Sequence, residues 1–305
     1  MSQPGFPQQS LLTFADTEKS PLSIRAKALV FVDPRSRQLR EQSNSLALRS
    51  LPVLIQGETG TGKELLARHI HRESERGGLF VSVSCGAISP QWGEAELFGH
   101  AAGAYSGAAS SRAGWFGSAN GGTLYLDEIG DLPAALQNKL LAALENREVL
   151  RVGSAHPTPV DVRLVAATSI DLEQAVAAGK FNERLFQYLD EGRLPLPGLR
   201  ERPGDILPLA EYFLGIYAQR LGLDIPQIGE TAQMALVRHS WHGNTRELEN
   251  VIHFALLVCR DGQIELAHLN LPSERPSLAL IEQQLELLSE ADLAQLQQRL
   301  AQRVR

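Results

Sequence analysis

Cysteine is nearly missing from this sequence: Cys85 and Cys259 are the only two, far apart and without metal-ligand spacing around them. A disulfide scaffold and a zinc site are therefore not expected, and both residues read as reduced thiols of a cytoplasmic protein. Long apolar runs are missing too, so no membrane-crossing segment is expected. The opening "MSQPGFPQQSLLTFADTEKS" has neither a basic nor an apolar leader region, which argues against secretion. Positive charge is in deficit, with 29 Lys+Arg against 35 Asp+Glu and a formal net charge of -6. That balance argues against a mainly electrostatic nucleic-acid binder, although a local basic patch is compatible with it. What is present is ordinary for a folded chain: 305 residues, 43% hydrophobic and 21% charged, enough for one large domain or two smaller ones.

Residues 1–27 are polar and rich in Pro, Gln and Ser, and read as a loosely ordered tail. Beyond them, "LPVLIQ" (51–56), "LFVSVSC" (79–85), "GTLYLDE" (122–128) and "VRLVAATS" (162–169) are short apolar runs bounded by turn residues, the pattern of buried parallel strands. Between them "ELLARHIHRE", "LPAALQNKLLAALEN" and "DLEQAVAAG" carry apolar residues at three- and four-residue spacing, as amphipathic helices do. Strand–helix alternation predicts an α/β sheet covered on both faces over 28–198. From Asp205 the pattern becomes all-helical, predicting a small helical domain over 199–272. Gly204-Asp205 is expected to start its first helix, and Asn244 to cap its last. Pro272 and Pro276 mark a break, and 273–305 is read as a short helical tail.

"GETGTGK", Gly57 to Lys63, follows a strand and precedes a helix, the context a phosphate-binding loop requires. Gly57, Gly60 and Gly62 allow backbone N–H groups to turn inward, with Glu58, Thr59 and Thr61 between them. Lys63 offers a point charge to the β- and γ-phosphates, and the helix offers its positive end. Glu64 stands where the general pattern has a Ser or Thr for Mg²⁺. The metal-side hydroxyl must come from elsewhere, such as Thr61, or give way to water. "LYLDE" places Asp127 and Glu128 at a strand end, where ligands collect in parallel sheets. Asp127 is expected to hold Mg²⁺ through water, and Glu128 to orient the attacking water. Loop and acid pair together point to an ATPase.

One stretch fits no core. "GAYSGA", Gly103, Ala104, Tyr105, Ser106, Gly107 and Ala108, puts a ring and a hydroxyl among residues too small to pack. Within "ELFGHAAGAYSGA", just before "GGTLYLDEIG", it resembles the GAFTGA loop of bacterial sigma-54-dependent activators, which are AAA+ ATPases. The resemblance runs from about Ala28 to Leu271 and takes in "GETGTGKE", "VRLVAATS", "LPLPGLRERPGDI" and "WHGNTRELEN". It implies an AAA+ P-loop fold, with a parallel sheet flanked by helices and a small all-helical lid. It further implies ATP and Mg²⁺ as cofactors, a hexameric ring, and a loop that rises with ATP to touch sigma-54 on RNA polymerase holoenzyme. Tyr105 would be the aromatic anchor and Ser106 the hydroxyl contact.

Departures from the family bear on mechanism. Ser84 stands for an asparagine that holds the catalytic glutamate. The sensor stretch ends Thr168-Ser169 instead of Thr-Asn. Arg246 is kept where the family has an arginine near the γ-phosphate, while His242 replaces a proline. In "FNERLFQYL", Asn182 and Tyr188 occupy the positions of two arginines that reach into a neighbour's ATP site. Such a finger is worth about 10³- to 10⁵-fold in rate. Arg184, one turn before Tyr188, is a candidate substitute. No helix-turn-helix is recognisable in 276–305, so direct enhancer DNA binding is not expected. Two readings follow: a self-sufficient activator module, or a hydrolysis-impaired subunit that modulates another activator in a mixed ring. A DNA-binding repressor without enzymology explains neither loop.

Overall fold

A computed structural model describes residues 29–271; the polar tail 1–27 and the helical tail 273–305 lie outside the described residues. Five parallel strands form the frame: β1 (Val53–Gln56), β2 (Phe80–Ser84), β3 (Thr123–Asp127), β6 (Arg163–Thr168) and β7 (Arg193–Pro195). A small antiparallel pair, β4 (Glu148–Val149) and β5 (Thr158–Pro159), lies between β3 and β6 in the chain. The sheet order is β2-β3-β6-β1-β7, so three neighbouring central strands bring their C-terminal ends together.

Alternation along each strand splits the apolar side chains between two faces. Leu54, Leu124, Leu126, Leu164 and Ala166 belong to one core cluster, closed by α3 (Gly93–Phe98), α4 (Gly114–Ser118), α5 (Ala134–Asn146) and α7 (Glu183–Asp190). Val53, Ile55, Tyr125, Val165 and Ala167 belong to the other, under α1 (Pro34–Ala47) and α2 (Lys63–Glu73). Every residue of β6 is buried. At about 1.5–3 kcal/mol for each fully buried large apolar side chain, the two faces dominate the fold's stability. A further short helix, α6 (Leu172–Ala177), is capped by Asp171, whose side chain accepts from Glu173 N and Gln174 N.

Helix α1 and strand β7 are among the elements that went unread in the sequence. Helix α1 is capped by Asp33 and begins with Pro34, but its buried face includes Ser36 and Ser43, which hide the apolar period. Strand β7 contains Pro195, tolerated because the strand is at the sheet edge.

Beyond β7 come α8 (Ile206–Leu221), α9 (Glu230–Arg238) and α10 (Asn244–Val258). The region is not wholly helical: β8 (Gln227–Ile228) pairs with β9 (Gln263–Ile264). Asp205 stands at the cap position of α8 but does not cap it. Its buried carboxylate instead accepts from Val32 N and Asp33 N, both at 2.8 Å, and from the Ser36 hydroxyl. Arg202, also buried, lies 3.6 Å from it. This polar knot ties the entry to α1 to the start of the helical region.

Candidate active site

The loop from Gly57 to Lys63 joins β1 to α2, so Lys63 is the first residue of a helix whose positive end faces the C-terminal edge of the sheet. Lys63 is buried; its ammonium donates to Glu128 Oε1 at 2.9 Å, and to the carbonyls of Gly57 at 3.0 Å and Glu58 at 3.4 Å. Glu128 lies just past β3 with φ of 52°, a left-handed conformation that turns its carboxylate toward the loop. Its other oxygen accepts from both the backbone N–H and the hydroxyl of Ser169, each at 2.8 Å. Burial pushes the Glu128 carboxyl up, but the bonds from Lys63 and Ser169 outweigh it and the net shift is downward. Glu128 is thus held ionised by two different strands' ends. Asp127 differs: its Oδ1 accepts from the Tyr125 hydroxyl at 2.9 Å, and burial raises its affinity for a proton.

Several residues singled out in the sequence do something else here. The Thr61 hydroxyl is buried and donates to Glu58 O at 2.7 Å, so its hydrogen is engaged within the loop. Ser84 is exposed and pairs in register with Asp127, and it is not among the partners of Glu128. Ser169 holds that carboxylate. Thr168 is buried and exchanges bonds with the backbone of Ile170, at 3.2 and 3.3 Å. Glu64 pairs with Arg68 one turn along α2, at 2.9 Å.

Four consecutive loop residues are gripped from outside by the helical region. Arg200 donates a two-pronged bond to Glu58, one arm at 2.8 Å. That partnership, helped by Asn244, lowers the Glu58 carboxyl to about 2. Asn244 Nδ2 donates to Glu58 Oε2 at 3.0 Å and to Thr59 O at 3.1 Å, while its Oδ1 accepts from Leu199 N at 2.8 Å. Arg246 N donates to Gly60 O at 3.3 Å. Arg202 donates to Thr61 O at 3.0 Å. A Cβ on Gly60 would stand 2.4 Å from Gly243 O, so the approach demands glycine. Asn244 therefore does not cap α10. Gly243 occupies that position, and Asn244, fully buried with φ of 55°, is the bridge. Arg246 sits two residues further on, exposed beside the loop.

Asn182 and Tyr188, at the two finger positions, and Arg184, the candidate substitute, are each engaged within the chain. Asn182 caps α7, accepting from Leu185 N at 2.8 Å and donating to Asn138 at 2.6 Å. Tyr188 is half-buried against the core. Arg184 is exposed but pairs with Glu145 of α5 at 2.8 Å.

Tyr105 is not displayed at a tip. Its ring packs at 4.9 Å from Trp92 and 5.0 Å from His100, over a cavity of about 570 Å³ that Arg112 and Trp115 also line. Within the loop, Gly103 N donates to Ala108 O at 2.8 Å and Ala108 N to Tyr105 O at 3.0 Å. Ser106, Gly103 and Gly107 are exposed, Ala104 packs near Gly153, and Ala108 is buried. The base is firmer. His100 exchanges backbone bonds with Arg112 at 3.0 and 2.9 Å, and Ala101 N donates to Val152 O at 2.9 Å.

Among the described residues no group of three or more His, Cys, Asp or Glu could enclose a metal. The donor set suits Mg²⁺ nonetheless, since that ion takes one or two carboxylates and completes its shell with water and phosphate oxygens. Asp127, oriented by Tyr125 and short of counter-charge, fits that requirement. No helix among the described residues is long and apolar enough to cross a membrane.

Residues 29–194 match the family model of the sigma-54 interaction domain, and residues 200–277 that of an AAA+ ATPase lid domain. The chain is 53% identical over 266 residues to the sigma54-dependent transcriptional activator SfnR of Pseudomonas putida, covering 87% of this chain and 73% of that one. It is 46% identical over 241 residues to the response regulator protein FleR of Pseudomonas aeruginosa, covering 79% and 51%. The crystal structure of NtrX from Brucella abortus in complex with ATP superposes with a TM-score of 0.73 at 36% identity, covering 79% of this chain and 54% of NtrX. The chain thus spans most of SfnR and about half of FleR and NtrX. With the parallel sheet, the phosphate loop and both family matches in agreement, this chain belongs to the sigma-54-dependent transcriptional activators, built on the AAA+ P-loop fold.

Proposed function

We propose that this chain binds ATP with Mg²⁺ and couples its hydrolysis, in a ring of copies, to contact with sigma-54 on RNA polymerase holoenzyme and promoter opening. The observation that carries this reading is the convergence of Lys63, Glu128 and Ser169 at the C-terminal ends of adjacent strands. Inward N–H groups of the loop and Lys63 cradle the phosphates. Phosphate draws Lys63 away from Glu128, which is then free to orient the attacking water while Ser169 keeps hold of it. Asp127 would hold Mg²⁺, which would neutralise phosphate charge. Arg246, placed beside the loop near the start of α10, would reach the terminal phosphate. NtrX was crystallised with ATP, which supports nucleotide as the ligand. Tyr105, released from Trp92 and His100, and the exposed Ser106 form the contact with sigma-54.

Asn182 and Tyr188 favour a second reading. Neither carries a charge to a neighbour, and Arg184 is tied to Glu145. In that case the chain holds ATP but relies on another activator's arginine in a mixed ring. Steady-state ATP turnover of the purified chain, titrated through the concentration at which copies associate, separates the two. The activator reading expects turnover that rises with association and falls about 10²-fold or more in Lys63→Ala. Binding without turnover supports the mixed ring. Failure to bind ATP at all would sink both.

A further inference from the structure

The phosphate loop lies at the C-terminal ends of the sheet. At the opposite ends, Arg76, Arg147 and Arg163 line a second cavity of about 320 Å³, with Asp161, Ser50 and Tyr188 around it. Arg163 opens β6 and is 5% exposed. Its terminal nitrogens donate to Ala47 O at 2.5 Å and Leu46 O at 2.6 Å, which fastens the end of α1, but its Nε has no partner. Burial, and then repulsion from Arg76, lowers Arg163 to about 10. Arg76 uses its Nε on Gly122 O at 2.8 Å and one Nη on Asp161, leaving its second Nη uncommitted among the described contacts. Asp161 is the single carboxylate of this lining, and Arg76 already occupies it. Arg147, in the left-handed residue that ends α5, is exposed and pairs with no carboxylate among the described residues. Burial, then the carboxylate of Glu191 and more weakly that of Glu145, push the Tyr188 hydroxyl up, and the positive charge of Arg147 opposes them.

Three guanidinium groups and one carboxylate make up the charged lining, an excess of two positive charges within the lining itself, with Glu191 and the Arg184-paired Glu145 acting on Tyr188 from outside it. Like charges in a partly buried setting repel unless an anion intervenes. Guanidinium forks match the geometry of phosphate oxygens, and a neutral tyrosine hydroxyl adds a donor without adding charge. The volume lies at the low end of ligand pockets, enough for a phosphate group and a small body attached to it.

We propose that this cavity is an anion site for a phosphate group. Arg147 and Arg76 are its direct ligands, Tyr188 is a neutral donor, and Arg163 is the buried charge behind them. The phosphate has two sources: a free ion or small phosphomonoester, or a nucleotide presented by a second copy of the chain. Only the second source rests on the ATPase reading.

The test uses the full chain carrying Lys63→Ala, which weakens the phosphate loop's own claim on the ion. Inorganic phosphate is titrated calorimetrically at a concentration where the chain is monomeric. Saturable binding is expected, weakened about tenfold by Arg147→Gln and partly restored by Arg147→Lys. Arg147 is exposed, so these variants should keep the parent's melting temperature. In the native background, the second source appears as ATP turnover that depends on Arg147 only at concentrations where copies associate. No saturable phosphate binding by the Lys63→Ala chain, or binding there that Arg147→Gln leaves unmoved, with native-background turnover also indifferent to Arg147, overturns the proposal.

Discussion

Two loops of this chain are built from similar small residues and are held in opposite ways. The phosphate loop is fixed by directed bonds: Glu58, Thr59, Gly60 and Thr61 each contact the region after β7, through Arg200, Asn244, Arg246 and Arg202. The Gly103–Ala108 loop is held at its base by backbone bonds, but its working residue, Tyr105, rests only on two rings. Directed bonds to buried or charged partners fix an orientation. Ring contacts are worth about 0.5–1.5 kcal/mol each and hold a side chain without locking it. On the proposed function the difference is the expected one: a nucleotide cradle is held still and a reaching loop is left free to move.

The largest expected blow to the fixed side is Asp205→Ala. It removes the acceptor of Val32 N, Asp33 N and the Ser36 hydroxyl and strands buried Arg202, which also grips Thr61 O. Breaking a buried pair of this kind costs about 3–5 kcal/mol, readable as a lowered urea midpoint. An unchanged midpoint would show that the knot is not structural.

Arg200→Ala should act more gently, because the Glu58–Arg200 pair is over two-fifths exposed on both sides. A loss of roughly 0.2–1 kcal/mol is expected, and the charge swap Glu58→Arg with Arg200→Glu should recover part of it. The pH dependence has a defined sign. Glu58 falls from 4.5 to about 2 in the folded chain, so its contribution is complete above pH 4.5 and fades as pH drops toward 2. The stability gap between parent and Arg200→Ala should therefore narrow over that window.

The smallest change addresses the other loop. Trp92→Ala removes one of two ring contacts on Tyr105, so tighter sigma-54 binding by about two- to tenfold is expected, with little change in melting temperature. Weaker binding would mean that Trp92 belongs to the contact surface itself.

The strands, the phosphate loop and the Asp127-Glu128 pair were legible because each is a contiguous stretch with its own period or spacing. The grip on the phosphate loop was not. Asn244 and Glu58 are 186 positions apart, and such a pair leaves no local pattern. Choosing between Ser84 and Ser169 as the partner of Glu128 was likewise beyond the sequence, because two hydroxyls at two strand ends look alike until distance separates them. Helix α1 hid behind buried serines, and β7 behind its proline.

Strand β6 begins at Arg163 and ends at Thr168, next to the serine that grips Glu128. Buried along its whole length and bonded to β3 and β1 on its two sides, it has no room to flex. A six-residue strand of this kind is a rod of roughly 20 Å. A push at one end therefore arrives at the other as a displacement of the whole rod, not as a bend that dies along the way. Arg163 of the arginine cavity and the residue next to Glu128's serine partner thus stand at the two ends of one buried strand.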